Sequence, residues 1–81
     1  MINILAMSSK TSLISAKIKA NLAFQGKTQT QLANALGLTR ESLNRRLASR
    51  TGWQIDEIME VAAFLQMPYE ALLSNPENFV A

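Results

Sequence analysis

The stretch Gln29–Arg50, QTQLANALGLTRESLNRRLASR, decides how this chain folds. Thr28 stands before it as a helix N-cap, and Gln31 three positions later completes the reciprocal pattern of a capping box. Leu32, Ala33 and Leu36 recur at helical spacing and give that helix a buried face. Gly37 stops it, because a sharp turn between crossed helices needs a residue that takes a positive φ without steric cost. A β-branched residue at Gly37 is therefore expected to unfold the domain or misplace the third helix. Thr39 caps that third helix, with Ser42 three residues on, and Leu43 and Leu47 are its i,i+4 anchors. With the leucines turned inward, Arg40, Glu41, Asn44 and Arg45 point outward, and Ser42 and Arg46 lie near the flanks. A helix that presents cationic, hydrogen-bonding side chains from a rigid corner can enter the major groove of DNA.

Outward from this pair the pattern stays helical, with no sustained apolar–polar alternation of the kind strands show. A first helix is expected from about Ser12 to Phe24, with Leu13, Ile14, Ile18 and Leu22 as its apolar stripe and Gly26 at its end. A fourth helix is expected over Gln54–Gln66, buried through Ile55, Ile58, Ala62 and Leu65. Pro68 opens a short fifth helix ending near Leu73. The fold class is all-α: a compact five-helix domain with a helix-turn-helix at its second and third helices. The expected organisation is a leader or arm at 1–10, the DNA-binding domain at 11–74 and a tail at 75–81. The leader could be disordered, a basic arm carrying Lys10, or an apolar segment for dimerisation.

The chain's 81 residues include no Cys and no His. Thiolate zinc sites and disulfides are thereby excluded, and the commonest general base and metal ligand are missing. Serines and threonines are plentiful, but no base is present to activate one, so an enzyme is not expected. Asp56 and Glu60 lie one helical turn apart; two carboxylates without a third ligand read as a solvated acidic face, not a metal site. No cofactor and no small-molecule ligand are expected. The apolar opening Met1–Met7 is too short for a signal peptide or a membrane span, so no membrane partner is expected and the location is read as cytoplasmic, nucleoid-associated or in a phage host.

Net charge is +2, and its distribution is uneven. The eight bases (Lys10, Lys17, Lys19, Lys27, Arg40, Arg45, Arg46, Arg50) lie in the first fifty positions with Glu41, a balance of +7. The remaining positions hold five acids and no base, a balance of −5. Such separation points to a basic face for a polyanion and an acidic face turned away. Lys17 and Lys19 read as general surface charge, Trp53 as a cap on the core, and Met59 and Met67 as core filler.

The spacing Gln-x-x-Leu-Ala-x-x-Leu-Gly-Leu-Thr from Gln29, followed by the arginine-rich helix, resembles the helix-turn-helix of the phage repressor and Cro family. The block Glu60–Leu73 is similar to that family's fourth helix and the short helix after it, so the likeness covers roughly Ile14 to Leu73. The resemblance implies a five-helix DNA-binding domain that binds a pseudo-palindromic double-stranded DNA operator, with a homodimer at least on DNA. It implies that Gln29 touches a phosphate and braces the reading helix, and that Arg40, Glu41 and Arg45, with Asn44 beside them, face base edges. Thr28, Thr39, Ser42 and Arg50, with Arg46 on the flank, are implied near the sugar-phosphate backbone. Arginine can pair bidentately with guanine and glutamate can accept from cytosine; Glu41 alternatively orients Arg45 at i+4, which is the preferred reading.

Two positions depart from the family pattern. A first-helix Arg often pairs with a Glu late in the third helix; Leu22 and Leu47 stand there instead, an exchange that can be neutral or stabilising. Lys27 stands where an apolar residue is usual, with Phe24 as the candidate replacement contact. The expected function is a phage- or prophage-type regulator, a small repressor or Cro-like switch protein controlled by operator occupancy. The alternatives are the antitoxin of a toxin–antitoxin pair and a protein-interaction module that kept the fold without DNA binding. Tyr69, Leu72, Leu73, Phe79 and Val80 are candidates for an apolar patch against a partner subunit.

Overall fold

The computed structural model describes residues 2–73, with side chains from Ser12 onward. Five α-helices follow one another: α1 (Ile2–Gln25), α2 (Gln29–Leu36), α3 (Arg40–Leu47), α4 (Ile55–Leu65) and α5 (Tyr69–Leu73). Helix α1 begins well before Ser12, because no residue from Ile2 to Gln25 is a proline or glycine that would stop a helix. The backbone expected as a leader is thus continuous with α1 as far as Ile2. The Lys10 side chain, and the Phe79 and Val80 expected in an apolar patch, lie outside the described residues.

The turns share one repeated device. At the end of α2 the Leu38 amide donates to Ala33 O (2.9 Å) and the Gly37 amide to Asn34 O (3.2 Å), with Gly37 at φ 70°. This is a Schellman cap, which satisfies two of the carbonyls that a helix end leaves open. The same pair of bonds closes α1 at Gly26, α3 at Ser49 (φ 64°) and α4 at Gln66 (φ 58°). Only the two glycine caps are legible in the sequence, since Ser and Gln are not residues that favour the left-handed region.

One core joins the helices: Ile14, Ile18 and Leu22 of α1, Leu32 and Ala33 of α2, Leu43 and Leu47 of α3, Ile58, Val61, Ala62 and Leu65 of α4, and Leu72 of α5. Each fully buried aliphatic side chain contributes about 1.5–3 kcal/mol relative to leaving it in water. Helix α1 packs on α3, α4 and α5, and α2 packs on α3 and α4. Leu22 and Leu47, the apolar replacements for an ion pair, both sit in this core. Trp53 lies against it and donates its indole N–H to Ser15 Oγ (3.1 Å), so it caps the α3–α4 loop as expected.

Several expected core residues lie elsewhere. On α4 the expected Ile58, Ala62 and Leu65 are buried, but Ile55 and Met59 are exposed and Val61, not selected from the spacing, is buried in their place. Phe24 is 90% exposed and makes no substitute contact at Lys27. Lys27 instead donates to Phe64 O (2.8 Å) and lies 4.6 Å from the centre of the Phe64 ring. With Gln25 donating to Leu65 O (2.9 Å), it supplies positive charge and donors to the C-terminal end of α4, where the helix dipole favours them. Leu72, expected on an outer patch, is fully buried.

Candidate nucleic-acid interface

Helix α3 is set up by its first turn. Thr39 is extended (ψ 160°) and its hydroxyl accepts from the Ser42 amide at 3.0 Å. Helix α2 starts the same way, with the full capping box: Thr28 Oγ1 accepts from the Gln31 amide (3.0 Å) and Gln31 Oε1 from the Thr28 amide (2.8 Å). With Leu43 and Leu47 buried, the outer surface of α3 carries Arg40, Glu41, Asn44 and Arg45 exposed, as the spacing predicts.

The cap that ends α3 adds Arg50 to this surface. The Arg50 amide donates to Arg45 O at 2.9 Å, which draws the chain after α3 back to the end of the helix. An open cleft of about 350 Å³ results, lined by Glu41, Asn44, Arg45, Ala48 and Arg50. Ala48 is absent from the residues that sequence reasoning selects; it lines the cleft as a small apolar floor, and nothing in its residue type signals that. Glu41 and Arg45 form the expected i,i+4 pair at 3.8 Å, but their side chains are 84% and 50% exposed. A pair that open to water holds Arg45 only weakly.

Arg40 turns toward α2, where its guanidinium donates to Thr30 Oγ1 at 2.6 Å. Thr30 is a second residue that sequence reasoning does not select. Thr28 and Thr39 are exposed at the starts of α2 and α3, and Gln29 and Ser42 are half-buried beside them. The first turn of each helix also leaves backbone amides without intrahelical partners, which suit an anion.

Arg46 behaves differently from the expectation of a backbone contact. Its guanidinium turns toward α4 and makes a bidentate pair with Glu57, Nε to Oε1 at 3.0 Å and Nη2 to Oε2 at 2.9 Å. Nη1 donates to Ser42 O and Ser42 Oγ, both at 3.1 Å. The two side chains are 13% and 15% exposed. Partial burial pushes the Glu57 carboxyl up, but the hydrogen bonds from Arg46 and from the Gln54 amide, together with the Arg46 charge, outweigh it and hold Glu57 below its ordinary value.

The uneven charge of the sequence is thus partly structural. Lys17 donates to Ala71 O (3.2 Å), Lys27 to Phe64 O, and Arg46 to Glu57. The exposed cations that remain among the described side chains are Lys19, Arg40, Arg45 and Arg50, three of them on α3 or its cap. Asp56, Glu60 and Glu70 are exposed on α4 and α5. No group of three potential metal ligands occurs among the described residues, and no helix among them is long and apolar enough to cross a membrane.

Five helices, a capped two-helix corner and a cationic outer face on the second of those helices define an all-α helix-turn-helix domain. The chain belongs to the BetR domain family, which matches residues 7–79 and is of the helix-turn-helix DNA-binding type. Its fold is similar to a solved structure described as a hypothetical transcription factor NHTF from Neisseria, with TM-score 0.77 and 21% identity over 88% of this chain and 82% of that one. No curated protein matches the chain. The family match gives the DNA-binding type, and the structural likeness gives the fold.

Proposed function

We propose that this chain is a sequence-specific double-stranded DNA-binding transcriptional regulator, a small repressor or Cro-like switch protein of phage or prophage type. Helix α3 enters the major groove, with Arg40, Glu41, Asn44 and Arg45 toward base edges. The observation that carries the reading is the pairing of Arg45 with Arg50 across one open cleft while Lys17, Lys27 and Arg46 are turned inward. Charges retained on one surface, when others of the same sign are spent on helix ends and an internal pair, mark that surface for an anionic partner.

Thr28, Gln29, Thr39, Ser42 and Arg50 fix register on phosphates, supported by the positions of the α2 and α3 N-termini. Arg46 is left out of the contacting set because its guanidinium is committed to Glu57 and Ser42. Two copies bind a pseudo-palindromic operator, and Phe24, Ile55, Met59 and Tyr69 are the exposed large apolar side chains available for pairing among the described residues.

In vitro selection of bound duplexes from a random pool tests this reading. The expected result is an enriched motif repeated as an inverted half-site. A pool that gains no sequence preference would overturn sequence-specific binding, and enrichment of a single unrepeated site would remove the dimer.

A further inference from the structure

Helix α3 packs chiefly on α1 and α2, whereas the principal neighbours of α4 are α2, α5 and α1. A polar tie joins α3 to the start of α4. The Arg46 fork grips both oxygens of Glu57 and reaches back to Ser42 on its own helix. Glu57 in turn accepts from the Gln54 amide at the N-cap of α4 (3.1 Å). The Arg46 carbonyl accepts from Ser15 Oγ of α1 (2.8 Å), and Ser15 accepts from Trp53. One residue of α3 thereby links three helices and the α3–α4 loop.

We propose that Arg46 and Glu57 are positioning residues for DNA reading, a clamp that sets the rotation of α3 about its own axis. The inference rests on the proposed DNA-binding function and deepens it. A guanidinium on α3 stands several ångströms from the helix axis, so a rotation of several degrees displaces it by an amount comparable with the ~0.5 Å tolerance of a precise polar contact. Arg45 is adjacent to Arg46 and only weakly held by Glu41, so its placement is inherited from the backbone that Arg46 fixes. A bidentate pair defines an angle as well as a distance, which a single charge contact cannot do. The clamp contributes to discrimination between sequences and leaves the phosphate contacts that all DNA offers unchanged.

Two variants test it, each compared with the wild type on the selected operator and on random duplex. Arg46→Met/Glu57→Met removes both charges and leaves no buried ion unpaired, so it is expected to stay folded. Its operator-to-random ratio is expected to fall about tenfold or more, with the salt slope on random DNA unchanged. Arg46→Lys keeps the charge but not the fork, is the fallback if the double variant does not fold, and is expected to lose discrimination part-way. Either folded variant discriminating like the wild type overturns the clamp, as does a salt slope flatter by about one unit, which would make Arg46 a phosphate contact.

Wild-type protein with no sequence preference would sink the DNA-reading function itself. The clamp is then decided by amide hydrogen exchange of the free protein. Faster exchange confined to α3 in the variants supports it, and unchanged exchange overturns it.

Discussion

Substitution of Gly37 separates two causes of the α2–α3 turn that the sequence cannot tell apart. From the sequence alone, a β-branched side chain there is expected to unfold the domain or misplace the third helix. In the structure Gly37 has φ 70° and ψ 27°, and a Cβ built on it meets nothing within 4 Å. A Cβ therefore adds no packing penalty, and for alanine only the left-handed backbone is costly, by about 1–2 kcal/mol for an L-residue. Loss of glycine's unfolded-state freedom offsets about 0.4–1 kcal/mol of that. Gly37→Ala should then lose about 1 kcal/mol and Gly37→Asn less, because Asn tolerates the left-handed region. Gly37→Val should lose about 2–3 kcal/mol, since β-branching makes that conformation worse.

For a domain of this size each kcal/mol moves the midpoint by about 4–8 °C. Thermal unfolding followed by circular dichroism resolves such shifts. Gln66, at φ 58° in the equivalent cap of α4, supplies the opposite sign: Gln66→Gly should raise the midpoint by a few degrees. All the Gly37 variants should remain folded at 25 °C. Unfolding of Gly37→Ala, or Asn no better than Val, would refute the claim that backbone conformation alone sets the cost.

Two further outcomes concern the site. Arg45→Ala and Arg40→Ala should each weaken operator binding by about 1–3 kcal/mol, roughly five- to 150-fold, and relax preference at one base position. Arg50→Ala should instead weaken all DNA alike and flatten the dependence of log K on log salt by about one unit; titrations at several salt concentrations distinguish the two patterns. Glu57 has a lowered pKa in the folded state, so the pair's stabilisation is fully present above the ordinary carboxylate value and is lost as pH falls through the lowered one. Midpoints measured across that acid range should fall less for Glu57→Gln than for the wild type, and equal acid losses would contradict the assigned role of the pair.

The elements are readable because local chemistry dictates them. Thr28 with Gln31, Thr39 with Ser42, and the glycines at 26 and 37 place helix ends through bonds within a few residues, and the structure contains each of them. The leucine spacing likewise gives the buried face of α3, and with it the outward set Arg40, Glu41, Asn44 and Arg45. On α4 the spacing finds Ile58, Ala62 and Leu65 but misplaces Ile55 and Met59, because apolar residues extend beyond the buried face of that helix. Spacing alone cannot choose between Ile55 with Met59 and Val61 at the edge of that face, and only the neighbours of α4 make the choice.

The partners of the charges belong to the tertiary structure. In the sequence Arg45 and Arg46 are adjacent and chemically identical, and successive residues on a helix point about 100° apart. That angle carries Arg45 to the open cleft and Arg46 to Glu57, eleven positions along the chain. Lys17 and Lys27 are drawn to the ends of α5 and α4 by carbonyls far from them in sequence. By itself the sequence determined five helices, the threonine N-caps and glycine C-caps around α2 and α3, and a cationic corner, because these depend on contacts within a turn or two. Which cations stay free for a polyanion and which brace the fold was decided only when the helices packed, because it depends on groups that chain distance does not bring together.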